Sequence, residues 1–281
     1  MTLSDRRVDR LLDEAEDALE QGDASAALDL IRTVLDARPH HAGAHFLAGE
    51  AMREIGHLEA AEASFREAAA QQPDHAPTWA SLAAVQFDQL EFVQAETAWR
   101  RALRLDPDSP DAWFGVGLVR ERREDWDGAE RAFLRAHFLD PIQHPLPVPL
   151  DDATVEAIVA EVVGALHPAI QSWLASVSIV LEEVPDTTVC RQFDPPAPPG
   201  EILGLFTGPS RAERSMDLDT IRSGDNAWSL LPPSIVLYRR NLERMASDRE
   251  QLIEQLRVTV FHEIGHYLGL DEDDLAARGL D

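Results

Sequence analysis

Four prolines recur at a constant spacing of 34 residues through the first half of the chain, at Pro39, Pro73, Pro107 and Pro141. Each closes a similar phrase, such as "SFREAAAQQP" and "AWRRALRLDP". Proline has no backbone N–H and disfavours helix in the residue before it, so each is expected to end a helix. A unit of this length cannot bury its apolar face alone, and consecutive units therefore stack. The sequence predicts four stacked helical units.

Alignment on these prolines brings small and large residues into register. Small residues let the two antiparallel helices of a unit approach closely, and we expect each large apolar side chain to pack into the next unit. The position that is always small holds Ala15, Gly49, Ala83 and Gly117, and the position that is always large holds Ile31, Phe65, Trp99 and Phe133.

Over about residues 5–141 these features resemble the tetratricopeptide repeat family. The resemblance implies a right-handed superhelix whose concave groove holds a peptide or a partner protein. The best-known peptide mode of that family grips a terminal carboxylate with lysines and asparagines. This chain has no lysine, and both asparagines, Asn226 and Asn241, lie outside the repeats, so that mode is not expected. A groove ligand that carries positive charge and a purely intramolecular role for the repeats both stay open.

Composition narrows the partners and the compartment. The chain has 51 acidic and 25 basic residues and a formal net charge of −26. Because like charges repel, neither nucleic acid nor an anionic membrane surface is expected as a partner. The single cysteine, Cys190, excludes an intrachain disulfide and a metal cluster built from cysteines. The first residues lack the apolar core of a secretory signal, and no stretch has the apolar length of a membrane span. We therefore predict a cytoplasmic protein.

The second half of the chain has a different pattern. Three prolines in "IQHPLPVPLDD" predict an extended linker at residues 142–150, between a repeat domain at 1–141 and a second domain at 151–281. From Asp151 an N-capped helix is expected, followed by strands in "VSIVLEEVP", at 202–206 and at 234–238. A long helix capped near Ser247 or Asp248 ends at Gly269. Its predicted core-facing apolar face consists of Ile253, Leu256, Val260, Phe261, Ile264 and Leu268. The fold class is therefore mainly α with an α+β second domain.

Two histidines near the end of that long helix predict a metal site. In "FHEIGHYLGLDEDDL", His262 and His266 lie one helical turn apart, so both imidazoles can point at one ion. Glu263 lies beside that ion, where it can take a proton from activated water, as in the H-E-x-x-H arrangement of zinc peptidases. Glycine at 269 turns the chain back, and Glu272 falls where an extended form of the motif places its last ligand.

Residues 151–281 resemble the small bacterial zincin-like metallopeptidase family, whose hallmark is H-E-x-x-H-x-x-G-x-x-D. "PPGEILGLFTG" and the stretch from "LPPSIVLYRRNL" through the motif carry the resemblance. It implies a minimal zincin-like α+β domain with one zinc ion, bound by His262 and His266, and with Glu263 as the base. Glu272 would be the third ligand where the family usually has aspartate, with Asp271 or Asp273 as possible substitutes.

Other segments carry weaker expectations. "EILGLF" or "SIVLY" could pair with an extended substrate as an edge strand, although a core strand is favoured for each. Packing is favoured over an oxyanion role for Tyr238 and Tyr267, and the acidic run 271–274 could be a solvated helix end. "DLDTIRSGDNAW" (217–228) is predicted as a flexible loop near the cleft. The loop histidines His40, His41 and His167 are not expected to be ligands.

The predicted function is zinc-assisted hydrolysis of peptide bonds, with the repeats recruiting a peptide or protein substrate. Two alternatives stay open. In one, the protein is a non-catalytic adaptor whose metal is structural or whose site is idle. In the other, it is a regulatory protease with a single protein partner, which would be inactive on generic peptides.

Overall fold

Eight helices form the first half of the protein, and the repeat prolines set where every second one ends. The computed structural model describes residues 3–211 and 232–276 of the 281. The second helix of each unit ends two residues before its proline, which confirms the predicted stops. The helices are α1 Asp5–Glu20, α2 Ala24–Ala37, α3 Ala42–Glu54, α4 Leu58–Gln71, α5 Ala76–Asp88, α6 Phe92–Leu105, α7 Pro110–Glu121 and α8 Trp126–Leu139.

The glycines of the repeats make room for aromatic rings. A methyl group at Gly49 would lie 2.5 Å from the ring of Phe65, and one at Gly117 would lie 2.4 Å from the ring of Phe133. Phe65 and Phe133 therefore fill space within their own units, which the sequence analysis did not predict. The predicted contact with the next unit also occurs, because Phe65 packs with Leu82 and Trp99 occupies the space over Gly115.

The chain divides into two units, Met1–His144 and Pro145–Asp281. Residues 145–150 are neither helix nor strand. The second half of that segment is attached to the second unit. The amide of Val148 donates to the carbonyl of Glu243 at 3.0 Å, and the amide of Leu150 donates to its carboxylate at 2.9 Å. Leu150 is buried in the core of the second unit.

In its described residues, the second unit combines helices with a three-stranded sheet of order β1-β3-β2. The central strand, β3, runs parallel to β1 and antiparallel to β2. This confirms the predicted fold class, mainly α with an α+β second domain. The elements are α9 Asp152–Ala165, α10 Pro168–Leu174, β1 Ser178–Glu182, α11 Thr187–Cys190, β2 Gly204–Thr207, β3 Ser234–Tyr238, α12 Arg239–Met245, α13 Arg249–Leu268 and α14 Glu272–Ala276.

Helix α13 carries the histidine motif and supplies much of this unit's core. It begins at the predicted cap Asp248, whose carboxylate accepts from the amide of Gln251 at 2.9 Å, and it ends at Gly269. Three residues of the predicted apolar face, Leu256, Val260 and Ile264, are fully buried. Leu252 and Tyr267, which the sequence analysis did not place on that face, are also buried at its centre. The other three residues of the predicted face are only partly buried, namely Ile253, Phe261 and Leu268.

Among the described residues, no helix combines the length and the apolar character that a membrane span requires.

Candidate active site

The two motif histidines face one another across one turn of α13. Their Nε2 atoms lie 3.0 Å apart, and the ring planes are inclined at 80°. Nδ1 of His266 lies 3.2 Å from the carbonyl oxygen of Leu270. If the proton of His266 is placed on Nδ1, it is donated to this carbonyl, and the lone pair of the ring then lies on Nε2. Both rings are partly buried, and both line the same cleft.

The carboxylate of Glu263 lies between α13 and the first residue of β2. Glu263 is 5% exposed, and a methyl group placed on Gly204 would lie 3.1 Å from its Oε1. Glu263 also lines the cleft that contains His262 and His266. The structure thus brings together three of the four residues that the sequence analysis assigned to the site.

The cleft has a volume of about 920 Å³ and a largely apolar wall. One side consists of β2 and the residues that lead into it, and the other side is the face of α13 that carries the motif. Apolar lining residues include Phe193, Ile202, Leu205, Phe206, Val258 and Leu270. A cavity with apolar walls and a few convergent polar groups is the usual form of a binding site for an organic ligand.

Strand order separates the two segments that could have offered an edge to a substrate. β3, which contains "SIVLY", is paired on both sides and is a core strand, as favoured from the sequence. β2, from "EILGLF", pairs only with β3 in the part of the chain that the structure describes, and it borders the cleft. β2 is therefore the strand that a bound peptide could extend.

The acidic stretch after Gly269 begins a short helix. The carboxylate of Asp271 accepts from the amide of Asp274 at 2.8 Å and so caps α14, while Asp271 also borders the cleft. Asp273 is exposed, and the side chain of Glu272 lies outside the described part. Within residues 3–211 and 232–276, apart from that side chain, no three His, Cys, Asp or Glu residues form a group that could hold a metal ion.

The two tyrosines are packing residues, as favoured from the sequence. Tyr267 is 1% exposed, and its hydroxyl donates to the carbonyl of Trp173 at 3.2 Å. Tyr238 is equally buried, and burial raises the pKa of its phenol, with the negative charges of Glu182, Cys190 and Glu263 adding to the effect. The phenol is therefore neutral at physiological pH.

The remaining expectations concern other histidines and one loop. His41 and His167 accept hydrogen bonds from backbone amides at helix starts, and His40 lies 3.1 Å from Glu67. They are loop and cap residues, as predicted. Residues 217–228, predicted as a flexible loop near the cleft, lie outside the described residues.

Sequence reasoning missed Gly204 and Thr259, which both border Glu263. A glycine inside a strand pattern is a known signal of close backbone approach, so "ILGLF" contained a usable clue for Gly204. The sequence contains no comparable signal for Thr259, because its contact with Gly204 depends on how β2 packs against α13.

Comparison with known proteins gives matches to both halves. Residues 174–280 match the model of the family described as zincin-like metallopeptidase, and residues 18–85 and 82–141 each match a tetratricopeptide repeat model. A search of curated proteins gives no match.

Among solved structures, MamA from Desulfovibrio magneticus RS-1 is 18% identical, covers 50% of this chain and 78% of its own, and has a TM-score of 0.44. PilF of Pseudomonas aeruginosa is 19% identical over 49% of this chain and 63% of its own, with a TM-score of 0.46. The first tetratricopeptide domain of Spaghetti bound to an HSP90 peptide is 17% identical over 44% of this chain and 98% of its own, with a TM-score of 0.42.

The chain thus carries tetratricopeptide repeats over residues 18–141 and a zincin-like metallopeptidase domain over residues 174–280.

Proposed function

We propose that the protein is a zinc-dependent peptidase whose repeats bring a substrate or partner protein to the catalytic domain. One observation carries the proposal: two imidazoles converge beside a buried carboxylate on the wall of a cleft, within the segment that matches the zincin-like metallopeptidase family. The proposed domain limits are 1–141 for the repeats and 151–281 for the catalytic domain. The proposed location is the cytoplasm.

The described donors fit a zinc ion. Two nitrogen ligands at roughly 2.0–2.1 Å from a tetrahedral zinc lie about 3.3 Å apart, and the Nε2 atoms of His262 and His266 are 3.0 Å apart. The carbonyl of Leu270 orients His266 through its other ring nitrogen, as outer partners of zinc-bound histidines do. Glu272 is proposed as the third ligand. When bound, one zinc ion polarises the scissile carbonyl and brings the pKa of water to roughly 7.

Glu263 is proposed as the general base. Its carboxylate lies beside the histidine pair, takes the proton of the attacking water and passes it to the nitrogen of the leaving amine. The apolar part of the cleft wall provides contact area for apolar substrate side chains. The outer edge of β2 is proposed to hydrogen-bond to the backbone of an extended peptide, which places a scissile carbonyl near the site.

The repeat groove is proposed to hold the partner. A cavity of about 490 Å³ lies on the repeats, and its lining includes the aromatic rings of Phe46, Phe87 and Phe114. Glu50, Asp88 and Asp111 also line it, as do Arg53, which lies 3.0 Å from Glu50, and His144, which lies 2.9 Å from Asp111, so carboxylates outnumber basic groups. Aromatic and acidic walls suit a partner segment that carries an apolar and a basic side chain. This direction of charge agrees with the excess of acidic residues in the whole chain.

The test of the proposed function compares Glu263→Gln with the wild-type protein, with Glu250→Gln as the matched control. Glu250 lies exposed in the first turn of the same helix. All three proteins are expected to bind one equivalent of zinc. Wild type and E250Q should cleave members of a broad peptide library, and E263Q should lose about 100-fold or more of kcat, the usual contribution of a general base.

If wild type and E263Q bind zinc equally and neither cleaves any peptide, the general peptidase proposal fails. Full-length E263Q, used to capture proteins from a lysate that the wild type is then shown to cleave, would identify a protease with one partner. Capture without any cleavage would support an adaptor.

The third ligand is tested by zinc affinity. Glu272→Ala should weaken binding by more than the roughly 10–100-fold that follows loss of an outer-shell partner. Asp273→Ala should leave the affinity unchanged. If Asp271→Ala causes the large loss and E272A does not, Glu272 is not the ligand.

A further inference from the structure

The first residue of the edge strand β2 lies directly against the helix turn that carries Glu263. A methyl group at Gly204 would lie 2.7 Å from Cγ2 of Thr259 and 3.1 Å from both Cγ and Oε1 of Glu263. Thr259 and Glu263 are one turn apart on α13 and only 6% and 5% exposed. Because the backbone of Gly204 approaches so closely, any side chain there would compete with Glu263 for space.

Strand β2 has little freedom to move away from this contact. Gly204 is paired with Leu237 of the central strand, and Leu237 is fully buried. The amide of Tyr238 donates to the carbonyl of Leu203 at 2.9 Å, which fixes the residue before Gly204 as well. A shift of β2 would break this hydrogen bond and disturb the strand register, so a larger residue at position 204 has to displace the side chains on α13.

Thr259 lies against Gly204 one helical turn before Glu263. Its hydroxyl donates to the carbonyl of Gln255 at 2.8 Å, and its methyl carbon Cγ2 faces Gly204. The backbone of β2 at Gly204 is therefore bordered both by the Thr259 methyl group and by the side chain of Glu263.

We propose that Gly204 is a positioning residue, which acts through Glu263 by limiting that side chain to the conformation directed into the cleft. The inference rests on the proposed role of Glu263 as base. This role of β2 is separate from substrate pairing. It depends on the close approach of the Gly204 backbone to α13, whereas substrate pairing would use the outer edge of the strand.

Three variants separate positioning from simple packing. Gly204→Ala creates both close contacts, and Thr259→Ser removes the methyl carbon while keeping the hydroxyl that donates to Gln255. In the double variant G204A/T259S, the new methyl group is left in close contact with Glu263 alone. Gly200→Ala is the control, because a methyl group at Gly200 would meet nothing within 4 Å.

G204A is expected to lower the melting temperature and kcat, and the double variant should regain the melting temperature but not kcat. A misplacement of about 1 Å can cost roughly 100-fold in rate, so kcat should stay down by about tenfold or more with KM within about twofold. The zinc stoichiometry of G204A and of G204A/T259S should equal that of wild type, T259S and G200A.

Recovery of both kcat and melting temperature in G204A/T259S would overturn the proposal and leave only strand–helix packing. Equal inactivity of wild type and E263Q would instead contradict the proposed peptidase function. In that case a crystal structure of the double variant decides the inference, since a displaced Glu263 carboxylate supports it and an unmoved one overturns it.

Discussion

The buried phenol of Tyr238 gives the protein an alkaline sensitivity. Burial raises its pKa above the ordinary value of 10.0, so the folded state favours the neutral form. A group whose pKa is raised on folding contributes stability that is whole below the unfolded pKa and is lost as pH rises past it. The unfolded chain ionises Tyr238 near pH 10 and is stabilised there relative to the fold.

We predict that Tyr238→Phe reduces this alkaline loss of stability. Urea unfolding midpoints measured from pH 8 to pH 11 should fall less steeply in Y238F than in wild type, because phenylalanine has no proton to lose. Curves of equal slope would show that another group causes the loss.

At the scale of residues, the sequence was sufficient for side chains that act within one helix. His262, Glu263 and His266 are placed by helical spacing alone, and the structure brings them to one cleft wall. The neighbourhood of Glu263 was not predictable in the same way. Gly204 reaches it from a strand far away in sequence, and a glycine in a strand pattern signals a close approach without indicating which residue is approached.

The end of α13 depends on a glycine in the left-handed region. Gly269 has φ 93°, and its amide and that of Leu270 donate to carbonyls of the last helical turn at 3.0 and 3.1 Å. A residue with a Cβ atom is strained in this conformation by roughly 1–2 kcal/mol. The same turn places the Leu270 carbonyl beside His266.

Gly269→Ala is therefore expected to lower the free energy of unfolding by about 1 kcal/mol or more and to weaken zinc binding. Gly164→Ala is the matched control. Gly164 lies within α9, where a methyl group would meet nothing within 4 Å, so alanine there should raise stability by up to about 1 kcal/mol. Urea unfolding and zinc titration check both, and a stabilising G269A would contradict the assignment of strain.

At the scale of elements, local signals placed the helices and strands but not the strand order. Cap residues such as Asp248 and Gly269 and the β-branched run of β3 were readable in the sequence. Which strand lies at the edge depends on pairing between distant segments, and this is why β3 was considered as a substrate edge. The observed apolar face of α13 differs from the predicted one for a related reason. Its centre is determined by the sheet and by α9, which pack on it.

The second unit contains its own core and its own cleft. The described core cluster that includes Leu150, Val155, Leu237 and Leu256 lies within Pro145–Asp281, as does the described lining of the cleft. We predict that a fragment of residues 145–281 folds alone and binds zinc as the full chain does, which circular dichroism and zinc titration can measure. A fragment that stays unfolded in the presence of zinc would contradict this.

A fragment that starts at residue 152 is the comparison. It lacks Leu150, whose burial stabilises by roughly 1.5–3 kcal/mol, and it should unfold at a correspondingly lower urea concentration than the longer fragment. Equal stability of the two would mean that the anchored segment contributes nothing.

At the scale of the whole molecule, periodicity predicted most of the architecture. The proline period alone specified the helical repeats, because each unit repeats the same local rules. The attachment of residues 148–150 to α12 was not predictable, since it depends on Glu243, far along the chain.

Because of that attachment, residues 145–147 are the segment between the contacts of His144 in the repeats and those of Val148 in the second unit. His144 is held at the end of the repeats, with its ring on Phe114 and its Nε2 atom 2.9 Å from Asp111, whereas Val148 is already tied to α12. Two of the three residues between them are proline, whose φ is nearly fixed. Backbone rotation within residues 145–147 is therefore restricted. Glycine at both positions would widen the range of backbone conformations open to this segment.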